Sequence, residues 1–229
     1  EGIIGSWDSH FVHNPKVMVI NNTFHMWYTG HKGTNGNRNF KIGHATSTDG
    51  SAWTKDANNP VLTVGSAGTW ENSWICIGDV VYAGTKYHMW YSGCDTLSTW
   101  VKIGHATSTD GLTWTKDQAN PVLIAEGSGS WEYTRVELPS VLFDGAKYHM
   151  WYSGGKTPWK IGHATSTDGI NWTKDTENPV LSSGLSGTWD SWSVAGMSVL
   201  SSGIKYKMWY FGSKLDVSTC IGYAEKPQE

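Results

Sequence analysis

The sequence predicts an all-β fold, a β-propeller of four antiparallel four-stranded blades with the last blade short. Three observations carry that expectation. The first is a recurring heptapeptide: FHMWYTG at 24–30, YHMWYSG at 87–93 and again at 148–154, and YKMWYFG at 206–212. The second is a tryptophan in a G-x-W-[DE] setting. Trp7, Trp70, Trp131 and Trp189 each stand 17 residues before the first aromatic of the heptapeptide and recur at intervals of 63, 61 and 58 residues. A fixed period of this size marks stacked or radial units rather than one irregular core. The third is the pattern inside each copy, which alternates with period two and nowhere sustains a helical period.

Each copy divides into four strands in the same order. The first follows G-x-W and reads FVHNPKVMVI, WICIGDVVYAG, RVELPSVLFDG and SVAGMSVLSSG in the four copies. These stretches are rich in Val, Ile and aromatic residues and close on turns such as Asp144-Gly145. The heptapeptide is the second strand, and alternation sets Tyr148, Met150 and Tyr152 on one face with His149 and Trp151 on the other. KIGHATS is the third. A Ser-Thr-Asp-Gly turn then leads into the fourth, which runs from W-T-K-D to N-P-V-L. The last copy stops at IGYAEKPQE without that strand, so either that blade has three strands or, the reading favoured, Ile3-Ile4 lends a short closing piece. With no linker between copies, residues 1–229 read as a single domain with blades at about 7–64, 70–125, 131–184 and 189–226. Radial closure leaves only short edges, and Trp and Tyr suit the wedge between blades.

Composition narrows the partners. The chain has 17 Lys and Arg against 20 Asp and Glu, a net charge of −3, and its only arginines are Arg38 and Arg135. Nucleic-acid binding calls for clustered basic residues, so it is not expected. No apolar run approaches the roughly 20 residues of a membrane-spanning helix, so no membrane partner is expected either. Cys76, Cys94 and Cys220 make neither an even disulfide framework nor a C-x-x-C pair, which leaves the redox compartment open. A chain that opens at Glu1 without Met and without a Lys/Arg-led leader reads as processed or trimmed, and an extracellular location is the expectation. The oligomeric state is not legible.

The order P-x-V…YHMWYSG…IGHATSTDGxxW…NPVL resembles the blade pattern of the arabinanase, levansucrase and invertase superfamily of five-bladed propeller glycoside hydrolases, over nearly the whole chain. The resemblance implies a carbohydrate ligand and a general acid drawn from the third blade. It departs in two places. There are four copies here, and Asn14, in His13-Asn14-Pro15, holds the place where that superfamily carries a catalytic Asp. Sialidase boxes also sit on propeller turns, but here Gly50 directly follows Asp49, and two arginines cannot supply the three that class uses to hold a carboxylate.

Subtracting what the copies share isolates what the scaffold does not require. Of 15 tryptophans, 11 are repeat positions; the others are Trp74, Trp100, Trp159 and Trp192. Trp74 and Trp192 lie between G-x-W and the first strand, and Trp100 and Trp159 lie in the loops joining the second and third strands. In an up-and-down blade these two kinds of connection emerge at one end. His10, His13 and His31, the three histidines outside the repeat, fall there too, as do Arg38 and Arg135. A binding site is therefore expected on that face.

Six residues after the G-x-W tryptophan the copies hold His13, Cys76, Glu137 and Ala195, which makes Glu137 the one carboxylate at this position and the candidate general acid. Asp79, in place of Lys16, Ser140 and Ser198, is the candidate for the second carboxylate that glycoside hydrolysis generally needs. Substrate contacts are expected from Trp74, Trp100, Trp159, Trp192, Arg135, Arg38, His10, His13 and Asn14, because an indole covers the apolar face of a sugar while polar neighbours bond its hydroxyls. Asp8, Glu71, Glu132 and Asp190 repeat and read as structural, as do the six repeated histidines. His10, His13 and His31 could form a metal set only against strand alternation, so no metal and no cofactor is expected. Three functions follow: a glycoside hydrolase or its descendant, a non-catalytic sugar-binding propeller, or a structural, protein-binding one.

Overall fold

The computed structural model describes residues 2, 5–33, 39–95, 100–214 and 219–228. Every regular element among them is a strand, and the strands form four antiparallel sheets, each a meander in chain order. Two compact units are present, Glu1–Thr99 with Gly104–Asn120, and Trp100–Ile103 with Pro121–Glu229.

The first unit holds β1 (Phe11–Ile20), β2 (Thr23–His31), β3 (Lys41–Ser47) and β4 (Thr54–Lys55) in one sheet. The next sheet is β5 (Trp74–Ala83), β6 (Lys86–Cys94), β7 (Lys102–Ser108) and β8 (Thr115–Lys116). In the second unit β9 (Val136–Phe143), β10 (Tyr148–Gly154), β11 (Lys160–Ser166) and β12 (Thr173–Lys174) form the third sheet. The fourth has three strands, β13 (Ser193–Ser201), β14 (Lys205–Ser213) and β15 (Thr219–Pro227). The last blade is short among the described residues, as expected, and the Ile3-Ile4 segment expected to close it lies outside the described residues. The chain is all-β and built from propeller blades, as its repeat predicts.

Each sheet is held by the same aromatic post, half-buried in the first three and exposed at Trp189 in the fourth. The G-x-W indole stacks on the heptapeptide tyrosine, with ring centroids 5.8 Å apart for Trp7 and Tyr28, 6.0 Å for Trp70 and Tyr91, 5.9 Å for Trp131 and Tyr152, and 5.8 Å for Trp189 and Tyr210. Two glycines make room for it: a Cβ on Gly104 would stand 2.6 Å from the Tyr91 ring and 2.8 Å from Trp70. The tyrosine hydroxyl donates to the carboxylate after the tryptophan, Tyr28 to Asp8 at 2.9 Å, Tyr152 to Glu132 at 2.7 Å and Tyr210 to Asp190 at 3.0 Å. In the first three sheets the lysine of W-T-K-D closes on that carboxylate (Lys55 on Asp8, Lys116 on Glu71, Lys174 on Glu132). A buried carboxylate survives only when it is paired and bonded in this way. Burial works to raise the Asp8 carboxyl, but the bonds from Lys55, Ser6 and Tyr28 hold it below its ordinary value. The reading of these acids as structural agrees with this post.

The fourth strand is shorter than the sequence suggests. Only Thr-Lys pairs regularly, and single bridges at Ile42–Leu62, Ile103–Leu123 and Ile161–Leu181 resume the contact. Between them the Asn before proline replaces the backbone ladder. Asn59 accepts from His44 N at 2.7 Å and donates to His44 O at 2.7 Å; Asn120 does the same at His105 and Asn178 at His163. Proline has no N–H to give the ladder; the side-chain amide accepts from the histidine N–H and donates to its carbonyl, which also accepts from the Asp56, Asp117 or Asp175 backbone N–H.

Candidate functional site

The first strand of each sheet breaks its register early, between His13 and Lys16, Ile77 and Asp79, and Ala195 and Ser198, with the matching shift in β9 opposite Trp151 and Ser153. Asn14 (φ 50°), Leu138 (φ 53°) and Gly196 (φ 53°) sit at this bulge in the left-handed region. Glycine and asparagine adopt it readily; leucine does so at a cost of about 1–3 kcal/mol. A bulge re-aims the side chain beside it. The residue beside it in β9 is Glu137.

Glu137 is 6% exposed. Arg135 Nη2 lies 3.1 Å from its Oε1, and the Arg135 guanidinium sits 5.1 Å from the centre of the Trp159 ring. Beyond this ion pair, Glu137 Oε1 and Arg135 Nε are both buried with no further partner among the described residues. Burial raises the Glu137 carboxyl above its usual value, and the Arg135 charge opposes that rise only in part. Trp159 is fixed through its backbone, its N–H donating to Ser193 Oγ at 2.9 Å and its carbonyl accepting from Val194 N at 3.1 Å. Arg135 is placed by Val101, whose carbonyl accepts from Val136 N at 3.1 Å and whose N–H reaches Thr134 O at 3.2 Å. That bridge brings Trp100, the residue before Val101, to the start of β9. Trp192 is 39% exposed and directly precedes β13. The sequence candidates Arg135, Glu137 and Trp159 therefore meet, with Trp100 and Trp192 at the same ends of their sheets.

In the first unit an aromatic group forms around Phe40. Phe40 packs on His31 at 4.5 Å, His13 at 5.3 Å and Trp74 at 6.1 Å, and His10 lies 5.8 Å from His31. Burial lowers the His13 pKa. Asn14 donates to Cys76 Sγ at 3.1 Å, so its amide is tied within the scaffold. Asp79 lies 3.8 Å from Lys16 and accepts from Val80 N at 2.9 Å. Arg38 lies outside the described residues. Among the described residues no three His, Cys, Asp or Glu side chains gather as a metal site.

Phe40 is the residue that sequence subtraction missed. It occupies the same place before Lys-Ile-Gly-His as Val101 and Trp159, and it escapes a search for extra tryptophans because it is a phenylalanine. Aligning the copies backward from KIGHA would have found it.

The repeated histidines are scaffold. His25 and His44 approach at 3.1 Å, His88 and His105 at 3.1 Å, and His149 and His163 at 3.3 Å, against Trp27, Trp90 and Trp151. Burial, with the neighbouring histidine adding to it, lowers His44 and His163 to about 4.

No family model matches the chain. Two curated relatives from Mycobacterium tuberculosis, uncharacterized proteins of strains CDC 1551 / Oshkosh and ATCC 25618 / H37Rv, are each 26% identical over 162 residues, covering 66% of this chain and 52% of the relative. The chain thus spans about half the length of the curated relatives it matches. Among solved structures, a complex of BT0996 with RGII superposes with a TM-score of 0.77 at 19% identity, covering 98% of this chain and 73% of that one. A glycosyl hydrolase from Bacteroides ovatus gives 0.70 at 22% identity, covering 96% and 67%. The chain therefore has the fold of propeller glycoside hydrolases, and the superfamily resemblance read from its repeat holds at the level of fold.

Proposed function

We propose that the chain is a carbohydrate-active propeller whose sugar site centres on Arg135, Glu137 and Trp159. The observation that carries this reading is the buried ion pair at its heart. Apart from the contact between them, the Glu137 carboxylate oxygen and the Arg135 Nε have no further partner among the described residues, and they stand beside an indole ring. Buried polar groups are ordinarily paired, and hydroxyls of a bound sugar would satisfy both while its apolar face lies on Trp159 or Trp100. Neighbours that are glycosyl hydrolases support the class of ligand.

Glu137 is the group we assign as general acid. Burial raises its pKa, and a carboxylic acid that keeps its proton nearer neutrality is suited to protonating a leaving glycosidic oxygen. The test is hydrolysis of a panel of aryl glycosides and of arabinan and fructan oligosaccharides by the wild type and Glu137→Gln. Cleavage by the wild type and a loss of about a hundredfold or more in the variant is expected.

Non-catalytic sugar binding is the second reading, and specific observations favour it. Asn14 holds the place of the expected acid and bonds Cys76, while Asp79, proposed from the sequence as the second carboxylate, is engaged by Lys16. On this reading the same oligosaccharides bind the wild type and are not cleaved.

A further inference from the structure

The turn before β9 and the loop after β10 hold one another by exchanged contacts. Arg135, in the turn, sets its guanidinium 5.1 Å from the centre of the Trp159 ring in the loop, and Lys156, in the loop, sets its ammonium 5.3 Å from the centre of the Tyr133 ring in the turn. Between them Gly155 N donates to Glu132 O at 3.1 Å and to Arg135 O at 3.3 Å. Gly155 stands at φ 114°, and a Cβ there would come 3.1 Å from Pro158 O and 3.3 Å from Trp131 O. The two segments are thus locked backbone to backbone. The rings they carry, Tyr133 and Trp159, belong to the same end of the third sheet.

Tyr133 departs from the repeat in both side chain and backbone. The residue two after the G-x-W tryptophan is Ser9, Asn72, Tyr133 and Ser191 in the four copies. Of these only Tyr133 is left-handed, at φ 56°. A bulky side chain in that region is strained, and strain of this kind gathers at ligand sites. The turn is held by a bridge from Tyr133 to Gly127 and by the Tyr133 N–H, which donates to Ser130 O at 3.2 Å. Gly127 also makes room for Trp100, whose indole edge lies 4.0 Å from where a Gly127 Cβ would stand. Small polar residues serve the other three copies at this position, so the scaffold does not call for the Tyr133 ring.

We propose that Tyr133 and Lys156 form a second sugar subsite beside the Arg135, Glu137 and Trp159 cluster, so that the ligand is an oligosaccharide held by adjacent sugar units rather than by a single terminal one. The inference rests on the sugar reading of that cluster. The apolar face of one unit lies on Trp159 and that of the next on the half-buried Tyr133 ring, while the exposed Lys156 ammonium, on its flexible stem, donates to hydroxyls at the rim. Arg135 joins the two subsites, since its backbone belongs to the Tyr133 turn and its guanidinium to the Trp159 ring.

Calorimetric titration with arabinose and fructose, and with arabinan and fructan oligosaccharides of increasing length, tests the subsite. In the wild type, affinity is expected to rise about tenfold from monosaccharide to oligosaccharide. Tyr133→Asn introduces the residue of the second copy, which takes the left-handed region readily; it should lose that rise, keep the monosaccharide affinity and melt no lower than the wild type. Tyr133→Phe should keep the rise, and Lys156→Ala should lose part of it. Trp159→Ala should weaken monosaccharide and oligosaccharide alike. If Tyr133→Asn binds oligosaccharides as the wild type does, or weakens both kinds of ligand equally, the subsite is overturned and the sugar reading stands. No binding of any of these sugars by the wild type would overturn both.

Discussion

At the scale of single residues, the repeat glycines are space-holders for the post. A methyl group on Gly104 would meet the fully buried Tyr91 ring at 2.6 Å and the half-buried Trp70 ring at 2.8 Å. Gly104→Ala should destabilise the chain by about 1–3 kcal/mol, the range of overpacked cores, as read from the urea midpoint. Asn178 completes two backbone hydrogen bonds at His163, so Asn178→Ala should lower stability by about 1–3 kcal/mol and leave the far-ultraviolet spectrum unchanged. Neither role is visible in one copy. Both become legible once the copies are aligned, because G, W, Y, [DE], K and N recur together without any functional reason to do so.

At the scale of elements, the paired histidines between β2 and β3 and between β10 and β11 set a pH dependence. His44 and His163 are lowered to about 4 in the folded chain against 6.5 when free, so between those values the unfolded chain binds more protons than the folded one. Their contribution is complete above pH 6.5 and is lost as pH falls toward 4. The melting temperature should therefore drop across that interval, and His163→Gln should flatten part of the drop. The strands themselves were legible from period two. Their fourth members were not, because Asn-Pro reads as part of a strand in sequence while proline interrupts the ladder and the asparagine side chain replaces it. The three strands described in the last sheet match the short last copy, and the Ile3-Ile4 segment expected beside them lies outside the described residues.

At the scale of the whole chain, subtraction of the repeat singled out residues that the fold then brought together in the second unit. Arg135, Glu137 and Trp159 come from two separate stretches of sequence, and their common position at one end of the blade is what unites them. Asp79 was chosen by the same subtraction, but an unusual charge is equally accounted for by its partner, and Lys16 stands at the aligned position of the neighbouring sheet. Substitutions of the two kinds should separate cleanly. Asp79→Asn is expected to act on stability together with Lys16, whereas Arg135→Lys keeps the charge, loses the planar contact with Trp159, and should weaken sugar binding with little change in melting temperature.

The central claim is that the Arg135, Glu137 and Trp159 cluster binds sugar. Calorimetric titration of arabinan and fructan oligosaccharides into the wild type and Trp159→Ala tests it most directly. Saturable binding by the wild type, weakened about tenfold or more in a variant that retains its melting temperature, is the expected result. Equal affinity in the two proteins, or no binding of any oligosaccharide by the wild type, would contradict it.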